Sequence, residues 1–314
     1  MVACYRAGGV VHGYVHQQLN TAVFRDLATL MDNMGRVTAH LAARVDDPRR
    51  SVRLRMAADG RSYAFDAAGA PWRTLELIDG ARTAHRFDGP GQAAEGAATA
   101  ARLVADLTDL RPPLPEVIPR FHDVRHRLHV LEQARAEDTH SRARTCAVEV
   151  DAVLAHAGVA RDVAEARADG RLPDRTVHND AKVANLLFDD ATEAALCLVD
   201  LDTVGPGTVL FDVGDLVRSG AVAGGEDGEP GTVRIDRDIV GAVIASYTSA
   251  GAGFLSRSEV DLLPSAGPLM ALEAASRFLT DHLRGDVYFR VDGPGHNLRR
   301  ARNQLRILEL LVTG

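Results

Sequence analysis

At 314 residues, with 46% hydrophobic and 25% charged side chains, the chain has an ordinary globular composition and enough length for a sizeable core. A net charge of -7 argues against a nucleic-acid binder, and no stretch is long and apolar enough to span a bilayer. Cys4, Cys146 and Cys197 are far apart and lack metal-site spacing, which with the absence of a basic-then-apolar leader in residues 1–20 points to a reduced, cytoplasmic setting.

Residues 2–6 and 10–19 read as strands flanking a turn at Ala7-Gly8-Gly9. Residues 24–43 carry apolar side chains at helical spacing (Phe24, Leu27, Leu30, Met31, Met34, Val37, Leu41), and Asp46-Asp47-Pro48 ends that helix. Three further strands are predicted at 51–56, 61–65 and 72–78, separated by turns at Asp59-Gly60 and 67–71. After Gly80 the pattern turns helical, over 93–107, 126–136 and 142–157. Two short strands, 175–178 and 195–201, break the run before an acidic, Gly-rich loop over 221–236. Helices at 239–250, 256–263, 269–283 and 297–312 complete the chain. A small sheet unit is therefore followed by a larger helical one.

The chemistry concentrates on the two short strands. Residues 178–185 read His178-Asn179-Asp180-Ala181-Lys182-Val183-Ala184-Asn185, between a strand and the apolar run 186–188. A hydroxyl is a poor nucleophile unless its proton has somewhere to go, and a transferred phosphoryl group carries charge that must be offset. An aspartate with an asparagine five residues later supplies a base and a magnesium ligand facing one site. Asp180 is thus the candidate base and Asn185 a candidate metal ligand. Asp200, at the end of the next strand, is the second, and Asp202 lies on the same strand face by period two and is a further candidate metal ligand. Lys182 is the only lysine of the chain. Its place inside this loop suits it to a terminal phosphate. His178 is expected to pack beneath the loop and orient the aspartate. Taken singly, a His-x-Asp is an ordinary turn and Asp200 with Asp202 an ordinary strand end; their order and strand–loop–strand context favour a site.

Residues 178–185, 199–204 and Phe211-Asp212-Val213-Gly214-Asp215-Leu216-Val217-Arg218 resemble the aminoglycoside phosphotransferase and choline kinase superfamily, and more narrowly its N-acetylhexosamine 1-kinase branch. Gln17-Gln18-Leu19-Asn20, Trp72-Arg73-Thr74, Phe121-His122-Asp123, 277–283, 285–289 and His296-Asn297-Leu298 extend the likeness along most of the chain. The resemblance implies an α+β, protein-kinase-like fold of two lobes. Residues 1–79 would be a small antiparallel sheet lobe on the nucleotide side, and 80–314 a mainly helical lobe with the catalytic loop and substrate site. It also implies ATP in the cleft, Mg2+ on Asn185 and Asp200, Asp212 as a buried buttress, and Arg277 on a sugar, with Tyr288 and His296 as weaker candidates. Arg277, Asp281 and Arg284 fall on one helix face, where a surface ion-pair stripe is the competing reading for the last two. The acceptor would be a hydroxyl of a hexosamine, the anomeric one foremost.

The front of the chain departs from that pattern. Only one strand and a turn precede the strand at 10–19, so the Gly-rich turn that covers ATP phosphates in kinase folds is expected to be missing, or encoded upstream of Met1. Gln18 stands where the branch tends to carry a basic residue and is the expected nucleotide contact there. Two other readings stay open: an aminoglycoside, choline or homoserine-type acceptor, and a catalytically impaired homologue that only binds a ligand.

Overall fold

The computed structural model describes residues 1–7, 10–224 and 227–313. Gly8 and Gly9 of the first turn, and Gly225 and Glu226 of the acidic loop, lie outside the described residues.

The sheet lobe opens with β1 (Val2–Ala7) and β2 (Val10–Gln18), which pair antiparallel from Val2↔Val15 to Ala7↔Val10. Helix α1 (Leu27–Ala42) begins at Asp26, whose carboxylate accepts from Thr29 N at 3.0 Å. That bond satisfies one of the orphan N–H groups of the first turn. Its buried face is Leu30, Met31, Met34, Val37 and Leu41, as the periodicity requires. Strands β3 (Leu54–Arg55) and β4 (Ala64–Phe65) are shorter than the sequence suggests, and both pair with β5 (Pro71–Glu76). The order across the sheet is β1-β2-β5-β3, with β4 also on β5. Side chains alternate strictly on β5: Pro71, Arg73 and Leu75 are more buried than Trp72, Thr74 and Glu76. The register pairs Gln17 with Arg73 on the inner face and Gln18 with Trp72 on the outer one.

Strand β6 (Ala81–Arg82) crosses into the helical lobe, where it pairs with a strand of the acidic motif. Helices α2 (Pro90–Leu107) and α3 (Val124–Glu137) follow. The helix predicted at 142–157 is instead α4 (Ala147–Ala155), and a further helix, α5 (Ala157–Ala168), continues the chain. Strand β7 (Arg175–Val177) leads into the 178–182 loop. Strands β8 (Leu186–Asp189) and β9 (Ala195–Leu198) then form the hairpin that returns to Asp200. Strand β10 (Gly205–Gly207) pairs back on β7.

Helix α6 (Val209–Gly220) is buried along nearly its whole length, Asp212 and Asp215 of its polar stripe included, and Asp212 and Ser219 of that stripe turn toward the loop after β7. The short pair β11 (Val222–Ala223) and β12 (Arg234–Ile235) brackets the acidic loop. Helices α7 (Arg237–Ala250), α8 (Arg257–Leu262), α9 (Ala266–Leu283) and α10 (His296–Val312) complete the lobe. Gly214 lets α6 and α9 meet at backbone distance: a Cβ there would collide with the Ala266 carbonyl oxygen. Cys146 and Cys197 are buried, whereas Cys4 is exposed. No helix of the described residues is long and apolar enough to cross a membrane.

Candidate active site

The loop after β7 is held from below. Asp212, fully buried on α6, accepts from the backbone N–H groups of His178 at 3.0 Å and Asn179 at 2.8 Å. Burial raises its pKa to about 6, even though the His178 ring and these two donors favour the charged form. Ser219, also on α6, accepts from Val183 N at 3.0 Å. His178 is itself buried; its Nε2 is 2.9 Å from the Val199 carbonyl oxygen, and its Nδ1 accepts from Asp180 N at 3.2 Å. The carbonyl cannot donate and Asp180 N must, so the ring carries its proton on Nε2. The histidine orients the loop and presents no free nitrogen to a reactant.

Asn179 has φ 64° and Asp200 φ 61°, a left-handed conformation that Asn and Asp tolerate better than most side chains. The first bend turns Asp180 out of the loop. The second ends β9 before Asp200, and a 3-10 turn, Leu201–Thr203, follows. The 3-10 turn Val183–Asn185 and the bond from Val199 N to the Asn185 carbonyl, 2.8 Å, set Asn185 beside Asp200 at the neck of the β8–β9 hairpin.

These bends bring most of the expected residues together. Lys182 Nζ donates to Asp180 Oδ2 at 2.6 Å. Asn185 Nδ2 donates to the same oxygen at 3.0 Å and to the Asp180 carbonyl at 2.8 Å. One carboxylate oxygen of Asp180 is thus doubly engaged, while Oδ1 accepts no hydrogen bond among the described residues. Burial pulls the Lys182 ammonium down, but Asp180, with Asp200 and Asp215 behind it, outweighs this and its pKa is raised. Asp200 shifts upward, through burial first and then the charges of Asp202 and Asp180. Its carboxylate has no hydrogen-bonding partner among the described residues. A half-buried carboxylate in that state, beside the Asn185 amide, suits a cation with two protein oxygens. Mg2+ fits such a sparse set, because it keeps several waters and shares its shell with substrate phosphates. No cluster of three or more His, Cys, Asp or Glu able to hold a metal occurs among the described residues.

Two expectations are corrected. Asp202 does not share a strand face with Asp200, because β9 has ended and the chain is in a 3-10 turn. Its carboxylate is engaged by Arg73 of the sheet lobe. Gln18 is exposed on the outer face of the sheet with Trp72, away from the cleft. Its neighbour Gln17 faces inward instead and accepts from Arg73 Nε at 2.9 Å. A strand's period of two makes this one-residue difference decisive.

Arg277 lies on α9 with its guanidinium carbon 5.6 Å from the Phe121 ring centroid, 5.8 Å from Tyr288 and 5.5 Å from Phe289. Glu273, one turn earlier, is 3.5 Å from it. The side chain is 22% exposed, a cation held by three rings and a carboxylate with one side open. Asp281 is no surface partner of Arg277. It is buried, and accepts from the backbone N–H groups of Val287, Tyr288 and Phe289 at 2.8–3.0 Å and from Asn297 Nδ2 at 2.8 Å. Arg284 is exposed. His296 is buried, with Nδ1 accepting from Asp292 N and Nε2 2.8 Å from Asp227, so it packs the loop ahead of α10.

His122 ties the two regions together. Its Nδ1 is 2.7 Å from Glu273 Oε2 and its Nε2 2.7 Å from the Asn179 carbonyl oxygen. The 151-residue separation from Glu273 hides this link from any local pattern, although the Phe121-His122-Asp123 segment was part of the resemblance. A cavity of about 810 Å³ opens beside it, touching His122, Asn179 and Phe211 but neither Asp180 nor Arg277.

A family model described as phosphotransferase enzyme family matches residues 14–237. Among solved structures, an aminoglycoside phosphotransferase from Alicyclobacillus acidocaldarius superposes with a TM-score of 0.65 at 14% identity, covering 99% of this chain and 90% of that one. A microcompartment-associated aminopropanol kinase gives 0.60 at 16%, over 99% and 88%. A choline kinase from Streptococcus pneumoniae gives 0.53 at 11%, over 98% and 89%. At such identities these likenesses speak for the kinase-like two-lobed fold, and the family model speaks for descent. The chain belongs to the phosphotransferase enzyme family.

Proposed function

We propose that the protein transfers the γ-phosphoryl group of ATP to a sugar hydroxyl, the anomeric hydroxyl of an N-acetylhexosamine or related sugar. Residues 1–79 form the nucleotide side, and residues 80–314 carry the catalytic loop and acceptor site. The observation that carries the reading is the convergence of Lys182 and Asn185 on one oxygen of Asp180, with Asp200 alongside.

Asp180 keeps Oδ1 for the acceptor hydroxyl and takes its proton as the new P–O bond forms and the bond from the γ-phosphorus to the bridging oxygen breaks, releasing ADP. Lys182 pairs with the Asp180 carboxylate and adds positive charge where the terminal phosphate arrives. Asn185 and Asp200 would hold Mg2+, which supplies charge neutralisation to the phosphates when bound. Arg277 presents donors to the acceptor's oxygens from its cage of rings, which limits the entropy lost on binding.

A coupled assay with ATP-Mg2+ and a panel of N-acetylhexosamines, aminoglycosides, choline, ethanolamine and homoserine tests the proposal. Turnover on an N-acetylhexosamine above all others supports it. Preference for an amino alcohol or aminoglycoside overturns the sugar assignment, and no turnover on any acceptor overturns the catalytic one.

A further inference from the structure

Arg73 is the one buried cation among the described residues of the sheet lobe, only 2% exposed. It projects from the inner face of β5, a strand paired on both sides within its sheet. Its Nε donates to Gln17 Oε1 at 2.9 Å, across the Gln17↔Arg73 pair of the β2–β5 ladder. That bond fixes the guanidinium plane, and Nη1 then donates to Asp202 Oδ1 in the helical lobe. Asp202 sits in the 3-10 turn immediately after Asp200. The far end of the same turn is tied to the catalytic loop: Thr203 Oγ1 donates to the His178 carbonyl at 2.9 Å, and Asn179 Nδ2 donates to the Thr203 carbonyl at 3.0 Å. One short turn is therefore gripped at one end by the sheet lobe and at the other by the loop that carries Asp180. A buried guanidinium without a counter-charge is costly, so the pair holds the lobes at one setting.

We propose that Arg73, steadied by Gln17, is a positioning residue that clasps Asp202 across the cleft and sets the Asp200 turn for the phosphate donor. Asp202 acts as the clasp's anchor and not as a metal ligand. The proposal rests on the reading of Asp200 as part of the donor site.

The test is a double-mutant cycle of Arg73→Met and Asp202→Asn, with Arg73→Lys as the conservative variant. ATP-Mg2+ affinity is read by calorimetry, and turnover on N-acetylglucosamine by kcat and both KM values. Each single variant is expected to weaken ATP-Mg2+ and lower kcat by about tenfold, with the KM for N-acetylglucosamine changed less than twofold. The double variant is expected to be no worse than the poorer single, since one interaction is removed in each case. Arg73→Lys should recover most of the loss. Multiplying effects would overturn the clasp. So would an Asp202→Asn variant needing tenfold more Mg2+ while Arg73→Met needs no more, because that is the behaviour of a metal ligand. If the wild type does not phosphorylate N-acetylglucosamine, the acceptor assignment above fails and the clasp is judged on ATP-Mg2+ affinity and on the same cycle in urea unfolding, where additive losses would overturn it. If Arg73→Met does not fold, Arg73→Lys and Asp202→Asn carry the comparison.

Discussion

His122 Nδ1 lies 2.7 Å from Glu273 Oε2, and the other ring nitrogen faces the Asn179 carbonyl, so both nitrogens meet groups that can only accept. The ring must donate twice, which it does only as an imidazolium. Burial opposes that charge, but the Glu273 carboxylate outweighs it and the pKa is raised; Glu273 is correspondingly lowered, against its own burial. The sign follows for each partner. The histidine's contribution to stability is whole below its ordinary 6.5 and is lost as pH rises through its higher folded value. The glutamate's is whole above 4.5 and is lost as pH falls through its depressed value. Urea unfolding of the wild type should therefore weaken on the alkaline side. In His122→Gln this loss should disappear, at a cost of about 3–5 kcal/mol near pH 6. Parallel slopes for wild type and variant above pH 7 would refute the assignment.

Asp180→Asn is expected to fold normally and to lose about 10²- to 10⁴-fold in kcat, because an amide cannot take the acceptor's proton. The KM for ATP should stay near the wild-type value. Near-normal turnover in steady-state kinetics would remove Asp180 from the base role.

Asp212 makes the acid side of the activity profile predictable. Its carboxylate must be ionised for both oxygens to accept the loop N–H groups, and it titrates at about 6. Turnover should fall as pH drops through that value. Stability responds in the opposite sense: the folded chain keeps a proton that the unfolded chain has given up above 3.8, so Asp212's contribution declines as pH rises from there to about 6. Asp212→Asn should lose most activity at every pH, and a kcat–pH profile with an unchanged acid limb in that variant would contradict the account.

Asp281→Asn removes a charge that accepts four hydrogen bonds, three of them from the loop carrying Tyr288 and Phe289. Acceptor KM should rise about tenfold, with kcat at saturating acceptor and ATP KM changed far less. Arg277→Met should raise acceptor KM further. Titration of both variants with acceptor, beside ATP-Mg2+, separates this from general loss of fold.

Much of the fold is legible in the amino-acid sequence. The α1 helix follows from its apolar spacing, and the residue types and order of 178–185 single out the loop in which Lys182 and Asn185 converge on Asp180. What was not readable depends on three-dimensional register. Gln17 and Gln18 are adjacent and identical, and only the pairing of β2 with β5 decides which faces the cleft. Asp202 was misplaced because the strand period was carried past Leu198, where the left-handed turn at Asp200 breaks it. Asp281 has the spacing of an exposed ion-pair stripe, and only the return of the 287–289 backbone shows that it is buried. His122 with Glu273, and Arg73 with Asp202, are joined across 151 and 129 residues, beyond the reach of local patterning.

Helix α9 carries Glu273, Arg277 and Asp281 on successive turns, and its start is locked against α6 where Gly214 leaves no room for a side chain. The three residues divide the labour along one rigid rod: the first reaches the catalytic loop through His122, the second faces the open side of the cage, and the third shapes the 286–289 loop. On the proposed reading, redrawing that exposed loop, where Val287 is 78% and Tyr288 57% exposed, retunes which molecule is accepted without disturbing Asp180. Changes to Gly214 or to the buried turns of α9 would move both at once. Natural variation that alters acceptor choice should then gather in residues 286–293, and libraries built there should yield new preferences at little loss of turnover.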